Sequence, residues 1–167
     1  MDIQYRQAEK ADLEGIAALA GQAAARMLSQ GIDQWDEFYP LREDFEQDVN
    51  GGQLTVGMLG DEIAVIYTIN EEYEPEYDSA KWKEPEKSFC ILHRLCVNPV
   101  FQNQGIARRT MEHIEQEAAA KGIQAIRLDV FSQNPHALKL YRNRGFEEVG
   151  TTQWRKGLFY LMEKYLA

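Results

Sequence analysis

Apolar residues recur along the chain at two spacings, one typical of α-helices and one typical of β-strands. Helical spacing predicts a first helix between the Asp12 cap and Gly31, and three further helices at 41–49, 105–121 and 135–144. Alternation and β-branched runs predict strands at 3–8, 54–59, 63–69, 89–97, 125–130, 146–152 and 158–165. This order predicts a mixed α/β domain of the α+β type rather than a doubly wound parallel sheet.

The fourth predicted strand, 89–97, is apolar on both faces except at His93 and Arg94, and Pro99 ends it. Such a run predicts a central strand, because both of its faces must be covered. Upstream of it, residues 71–87 hold seven acidic residues and three lysines. This acidic insert is predicted to be a long surface loop, since charge runs usually face water.

Composition and charge place the chain among ordinary globular proteins. Its 167 residues, 44% hydrophobic and 27% charged, fit one domain over residues 1–167 with a core that needs no metal or disulfide. The net charge of -9 disfavours nucleic-acid binding and favours cationic partners. The N-terminus lacks the apolar segment of a signal peptide, and no apolar run approaches the ~20 residues of a membrane helix. We therefore expect a cytoplasmic protein without a membrane partner.

Disulfide and metal chemistry find little support in the sequence. Cys90 and Cys96 lie on the same predicted strand, where six steps of about 3.3 Å put them beyond disulfide reach. Both are interpreted as small core residues; a catalytic cysteine is the less favoured alternative, because no C-x-x-C pairing accompanies them. His113 and His136 have no second ligand at i+4, which argues against a metal site.

The strongest chemical signal follows the fourth strand, where residues 97–109 contain a glycine-bearing turn that opens a helix. A helix N-terminus offers unpaired N–H groups and a positive dipole, and Gly105 lets the backbone approach an anion closely. This predicts a cradle for a diphosphate. The turn matches neither the G-K-[ST] of a P-loop nor the three glycines of a dinucleotide fingerprint.

Two motifs, in this order, resemble the GNAT N-acetyltransferase superfamily. Gln102-x-x-Gly105-x-Ala107, after Val97-x-Pro99, is similar to the coenzyme A motif of that family. Asn134-x-x-Ala137-x-x-Leu140-Tyr141-x-x-x-Gly145-Phe146 is similar to its later segment. The resemblance implies a central, mixed, mostly antiparallel sheet of six to seven strands, splayed between strands four and five and flanked by about four helices. It also implies acetyl-CoA as the cosubstrate and coenzyme A as the product.

The same resemblance implies a cofactor site. Pyrophosphate would be held by the backbone amides of Asn103, Gln104, Gly105, Ile106, Ala107 and Arg108, with Gln102 supporting the turn. The pantetheine arm would pair with strand four along Leu95, Cys96 and Val97, as an added strand does. On its other side, the arm would meet Asn134, Ala137 and Tyr141.

Amine acetylation needs a donor for the developing oxyanion, a proton for the departing thiolate and an acceptor for the amine proton. By resemblance, the backbone N–H near Val97 polarises the carbonyl and Tyr141 is the general acid; the alternative is that Tyr141 only packs its helix on the sheet. His93, Glu71 and Glu72 are the candidate general bases. Each has a structural alternative, since a lone strand histidine is often a hydrogen-bonded core residue and glutamates after a strand are often solvated.

The acceptor site is predicted, again from the resemblance, at Trp35, Phe38 and Tyr39 together with the acidic insert. Aromatic faces and excess carboxylates favour a cation, whereas the structural alternative is that these rings cover the edge of the core. The predicted acceptor is a primary amine of a small molecule or a peptide, which attacks acetyl-CoA directly in a ternary complex. The alternatives are a non-catalytic acyl-CoA binding or sensing module and a protein lysine or N-terminal acetyltransferase. A homodimer is a tendency of the family without a signature in this sequence.

Overall fold

The computed structural model describes residues 2–166, which contain four α-helices and seven β-strands. The helices are α1 (Leu13–Ser29), α2 (Arg42–Asn50), α3 (Ile106–Ala120) and α4 (Pro135–Asn143). The strands are β1 (Gln4–Gln7), β2 (Leu54–Leu59), β3 (Glu62–Asn70), β4 (Phe89–Val97), β5 (Ala125–Phe131), β6 (Glu147–Trp154) and β7 (Gly157–Tyr165). Every element predicted from the sequence is present, with bounds that shift by no more than two residues.

The seven strands form one sheet in the order β1-β2-β3-β4-β5-β7-β6. Antiparallel ladders join β1 to β2, β2 to β3, β5 to β7 and β6 to β7. β4 and β5 run parallel, and among the described residues their ladder ends where Ile91 meets Arg127, although both strands continue. The structure thus confirms the mixed, mostly antiparallel sheet, its splay between strands four and five, and the central position of β4.

The chain divides into two compact units, and β4 contributes to both. Unit 1 comprises Met1–Ile69 and His93–Thr110, and unit 2 comprises Asn70–Leu92 and Met111–Ala167. One domain over residues 1–167 stays a prediction. Within residues 2–166, every helix is too short or too polar to cross a membrane.

The core of unit 1 forms where α1 packs on the sheet. Ile16, Leu19 and Ala23 recur at helical spacing and bury one face of α1. They join a single apolar cluster that also contains residues of α2, β2 and β3, among them Phe45, Val56 and Ile66. Because full burial of each large side chain stabilises the fold by about 1.5–3 kcal/mol, the apolar pattern that predicts α1 also anchors it.

In unit 2, the acidic insert is a surface loop, as its charges predicted, and most of its residues are exposed. Tyr77 lies in a 3₁₀ turn, Pro75–Ser79, and only 2% of its surface is exposed. Its ring packs in a cluster with Ile91 and Trp82, and its hydroxyl donates a hydrogen bond to Asp129 at 2.6 Å. The surface-loop prediction is therefore confirmed, with one feature that the charges did not indicate: the buried Tyr77 anchors the loop to the core of this unit.

Gly57 lies in β2 at a position that leaves no room for a side chain. A Cβ at this position would lie 2.5 Å from Cγ1 of Val65 and 2.9 Å from Cγ2 of Ile3. Gly57→Ala is therefore expected to lower the free energy of unfolding by about 1–3 kcal/mol, because the added methyl overpacks the core. Denaturant unfolding measures this effect. Gly21→Ala in α1, where no atom lies within 4 Å of an added Cβ, is the control and should be neutral or stabilising; equal stability of the two variants would contradict the close packing.

Candidate active site

The exit of β4 is fixed by Asn98, the residue that follows the strand. Its backbone N–H donates to the carbonyl of Ala64 at 2.7 Å, and its side-chain amide donates to the carbonyl of Ile63 at 3.0 Å. Its side-chain oxygen accepts from the N–H of Val100 at 3.1 Å and so caps the 3₁₀ turn Pro99–Phe101. The chain therefore leaves β4 in a defined direction, towards the turn that opens α3.

The turn between β4 and α3 contains two residues with a left-handed backbone. Asn103 has a φ of 64° and Gly105 a φ of 72°. α3 begins at Ile106, which is buried in a cluster with Leu59 and Val65. The first N–H groups of an α-helix have no acceptor within the helix, and left-handed residues in a turn gather such donors into an anion-binding concavity. The backbone of this turn is thus suited to the diphosphate that the sequence predicted there.

A buried ion pair lies in unit 1, between β4 and α2. Nε and Nη2 of Arg94 donate to the two carboxylate oxygens of Asp48 at 3.0 and 2.9 Å, and the hydroxyl of Thr68 donates to the same carboxylate at 2.9 Å. Nη1 of Arg94 donates to the hydroxyl of Tyr39 at 2.9 Å. Burial alone would lower the pKa of Arg94, but Tyr39 and Asp48 outweigh it and raise that pKa above its ordinary value. Arg94 is therefore a permanent cation whose charge is matched within the protein.

The sequence did not predict this network. In the sequence, Arg94 stands out only as a charged residue within a mostly apolar strand. That position was the one signal that could have indicated a buried partner for it. Asp48 gives no signal, because it is one of several acidic residues on a short polar helix. Its burial results from contacts with residues distant in the sequence, which no local pattern encodes.

In unit 2, the second motif forms the start of α4. Asn134 is the N-cap, and its side-chain oxygen accepts from the N–H of Ala137 at 3.1 Å. Pro135 occupies the first helical position, where its missing N–H costs nothing. The asparagine that the resemblance assigns to the cofactor thus also holds the helix that carries Tyr141.

Tyr141 lies on α4 with 8% of its surface exposed. Its ring meets Phe146 nearly edge-on, with 5.6 Å between the ring centroids. Burial, and then the charge of Asp129, raises the pKa of Tyr141 above its ordinary value of 10.0. The hydroxyl is therefore protonated at neutral pH, as a proton donor must be. The ring also packs against its neighbours, so the structural and the acid roles of this residue are compatible.

The three candidate bases occupy different environments. His93 is half-buried on the part of β4 that belongs to unit 1. Glu71 and Glu72 are exposed residues that follow β3 and belong to unit 2. The N–H of Glu72 donates to the side chain of Asn70 at 2.9 Å, and the amide of Asn70 donates back to the Glu72 carboxylate at 3.2 Å. Glu72 therefore closes a turn, whereas Glu71 simply faces solvent.

The predicted acceptor residues divide into a core residue and two surface residues. Trp35 is 9% exposed and belongs to the apolar core of unit 1. Phe38 is 67% exposed and Tyr39 40% exposed. The Asp36 carboxylate accepts the N–H groups of Phe38 and Tyr39 at 2.9 and 3.2 Å, which orders the segment that carries them. Phe38 and Tyr39 thus present apolar surface to solvent beside an acidic side chain, whereas Trp35 belongs to the core.

The cysteines are placed as core residues, as the sequence predicted. Both are free thiols and both are buried. Burial raises the pKa of Cys90 to about 11 and that of Cys96 to about 12, so neither is a thiolate at neutral pH. Over residues 2–166, no group of three or more His, Cys, Asp or Glu side chains is arranged to hold a metal ion.

Comparison with known proteins identifies the family. A family model described as the acetyltransferase (GNAT) family matches residues 23–146. The [ribosomal protein bS18]-alanine N-acetyltransferase of Escherichia coli (strain K12) is 35% identical over 58 residues, which are 35% of this chain and 39% of that relative. This chain thus matches less than half of the length of that curated relative.

Two solved structures share the fold over nearly the whole chain. A GNAT family acetyltransferase from Streptococcus agalactiae 2603 has a TM-score of 0.86 at 23% identity, covering 98% of this chain and 95% of that one. The yncA protein of Salmonella typhimurium, solved with its cofactor acetyl-CoA, has a TM-score of 0.67 at 16% identity, covering 100% and 95%. At these identities the likeness shows the fold. Because the family model spans both the turn before α3 and the α4 segment, we conclude that this chain belongs to the acetyltransferase (GNAT) family.

Proposed function

We propose that this chain transfers an acetyl group from acetyl-CoA to a primary amine. The observation that carries the proposal is the turn with left-handed Asn103 and Gly105, which opens α3 directly after β4 in a chain of the GNAT family. A net charge of -9 repels an anionic cofactor in general, so binding must rest on local donors. The backbone amides of residues 103–108 would supply them, and Gln102 would support the turn.

The pantetheine arm would bind along the C-terminal half of β4. In the described residues, the ladder with β5 ends at Ile91, so the backbone of Leu95, Cys96 and Val97 is suited to pair with an added strand-like ligand. The resemblance also assigns Asn134, Ala137 and Tyr141 to this arm. This assignment follows the family resemblance residue by residue, and the splay of the sheet supports it.

The reaction would proceed by direct attack in a ternary complex. The neutral amine nitrogen forms a bond to the thioester carbonyl carbon, the carbonyl oxygen gains negative charge, and the C–S bond then breaks. A backbone N–H near Val97 would stabilise that oxyanion. Tyr141, held neutral by burial, would donate its hydroxyl proton or a hydrogen bond to the leaving thiolate sulfur. The amide and coenzyme A are then the products.

The amine must lose a proton before or during attack. His93, on β4, is the candidate base inside the fold, and Glu71 is an exposed carboxylate that could accept the proton through water. Glu72 is the third candidate, although its hydrogen bonds with Asn70 fix it in a turn. These three residues and water alone are the alternatives, since an alkylammonium of pKa about 10.4 or an α-ammonium of pKa about 8 can lose its proton by any of these routes.

The acceptor would bind beside Phe38 and Tyr39; Trp35, the third residue assigned by the resemblance, is a core residue. The exposed rings and the neighbouring Asp36 favour an amine that carries apolar surface next to its charge. The E. coli relative is named as acting on the alanine of a ribosomal protein. An α-amine at a peptide N-terminus is therefore the first acceptor class to test, ahead of small polyamines.

Thiol release from acetyl-CoA across a panel of amines tests the function. The panel should include peptides with N-terminal alanine, the same peptides with a blocked N-terminus, lysine peptides, polyamines and amino acids. Turnover that requires a free amine, with mass spectrometry showing one added acetyl group, supports the transferase. Tight acetyl-CoA binding without turnover on any amine would favour the alternative, an acyl-CoA binding or sensing module.

A further inference from the structure

Arg94 occupies an unusual backbone conformation in the middle of β4. Its φ is 51°, in the left-handed region, although its neighbours form a strand. For a residue with a side chain this conformation costs roughly 1–2 kcal/mol, so the surrounding structure must hold it. A left-handed residue of this kind interrupts the alternation of a strand and re-aims the backbone that follows it.

The side chain of Arg94 supplies the contacts that hold this conformation. Its guanidinium donates hydrogen bonds to both carboxylate oxygens of Asp48 on α2. Asp48 is only 6% exposed, and its carboxylate also accepts a hydrogen bond from the hydroxyl of Thr68 on β3. Nη1 of Arg94 donates a further hydrogen bond to the Tyr39 hydroxyl. The guanidinium is therefore fixed by two elements other than its own strand, and its planar fork allows little rotation.

The backbone beyond Arg94 is anchored again at Asn98. The two hydrogen bonds from Asn98 to Ala64 and Ile63 tie the end of β4 to β3. Residues 95–97 thus lie between two fixed points, Arg94 on one side and Asn98 on the other. These are the residues whose backbone would meet the thioester in the proposed function.

We propose that Arg94 is a positioning residue, whose bonds to Asp48 and Tyr39 hold the left-handed turn in β4 and thereby aim the following backbone N–H groups at the thioester carbonyl. The inference rests on the proposed function, because it presumes that acetyl-CoA binds along β4. It goes further because it makes the ion pair of Arg94 and Asp48, to which the resemblance assigns no role, responsible for the orientation of the oxyanion donor. It also links Tyr39, in the segment proposed to meet the acceptor, to the same strand.

Isotope-edited infrared spectroscopy of bound [1-13C]acetyl-CoA tests this directly, since hydrogen bonds to a thioester carbonyl lower its stretching frequency. The full-length chain is compared with Arg94→Lys, which keeps the charge but loses the fork, and with Tyr39→Phe, which loses one hydrogen bond. Tyr5→Phe is the matched control, because it removes the hydroxyl that bonds to Thr110 at 2.9 Å in the same unit. Thermal unfolding and the dissociation constant of coenzyme A are measured for every variant.

We expect a lowered carbonyl frequency in the unmodified chain, loss of most of that shift in Arg94→Lys and a smaller loss in Tyr39→Phe. kcat should fall by about 100-fold in Arg94→Lys, while coenzyme A binding is retained. Tyr5→Phe should lose stability alone. If Arg94→Lys fails to fold, Tyr39→Phe carries the test.

A full shift in a folded variant of Arg94 or Tyr39, or no shift in the unmodified chain, would overturn the inference and leave acetyl transfer standing. Failure of acetyl-CoA to bind the unmodified chain would instead remove the proposed function, and the inference with it.

Discussion

Replacing Tyr141 with phenylalanine is expected to lower kcat for acetyl transfer by about 100-fold to 1,000-fold and to leave the dissociation constant of acetyl-CoA unchanged. Phenylalanine keeps the ring that packs edge-on against Phe146, so α4 should stay in place. Only the hydroxyl is lost, and with it the donor for the departing thiolate. Steady-state kinetics with the best acceptor of the panel, together with calorimetric binding of acetyl-CoA, measure the two quantities separately.

The matched control is Tyr165→Phe in β7, which also removes a tyrosine hydroxyl from unit 2. The hydroxyl of Tyr165 donates to Glu163 at 3.0 Å and accepts from the N–H of Glu84 at 2.7 Å, so its loss should reduce stability without changing kcat. The pH profile adds a further constraint. Because the pKa of Tyr141 is raised above its ordinary value of 10.0, the hydroxyl stays protonated below pH 10. Deprotonation of Tyr141 should therefore not lower kcat below that pH. Unchanged kcat in Tyr141→Phe would leave packing as the role of this residue.

The elements of the fold were predictable because their signals are local. Gly122 and Gly145 have φ values of 78° and 88° just beyond α3 and α4, conformations that glycine adopts without strain, so these glycines mark the helix ends in the sequence as well as in the structure. β4 was recognisable as a central strand because it is apolar on both faces. The diphosphate turn was visible for the same reason, since Gly105 is required by the backbone rather than by distant contacts.

The parts that could not be predicted depend on contacts between residues far apart in the sequence. Trp35 and Phe38 are large aromatic residues three positions apart, yet one lies in the core and the other faces solvent. Tyr77 is buried within a segment whose charges indicate a loop, because the sheet beneath it offers an apolar surface. The same holds for the candidate bases, because pattern alone does not reveal which polar residue near a strand end faces a ligand.

Replacing Gly105 with valine is expected to weaken acetyl-CoA binding by about 100-fold, or about 3 kcal/mol. Gly105 has a φ of 72°, which a β-branched residue adopts only under strain. The space itself is open, since an added Cβ would meet only Nη2 of Arg108 at 3.5 Å. The turn is therefore expected to relax into another conformation. Acetyl-CoA binding would then have to restore the anion-binding geometry, and the free energy needed for this would weaken the affinity. Calorimetric titration with acetyl-CoA measures the loss.

The opposite end of the same helix provides the control. Gly122 follows α3 with a φ of 78°, and no atom lies within 4 Å of a Cβ added there. Gly122→Val thus imposes the same backbone strain at a position without a proposed ligand role, and it should lower thermal stability while acetyl-CoA binds with unchanged affinity. If both variants lost affinity equally, the effect would come from general destabilisation of α3. If Gly105→Val bound acetyl-CoA as tightly as the unmodified chain, the pyrophosphate would have to bind elsewhere, and the assignment of residues 103–108 would be wrong.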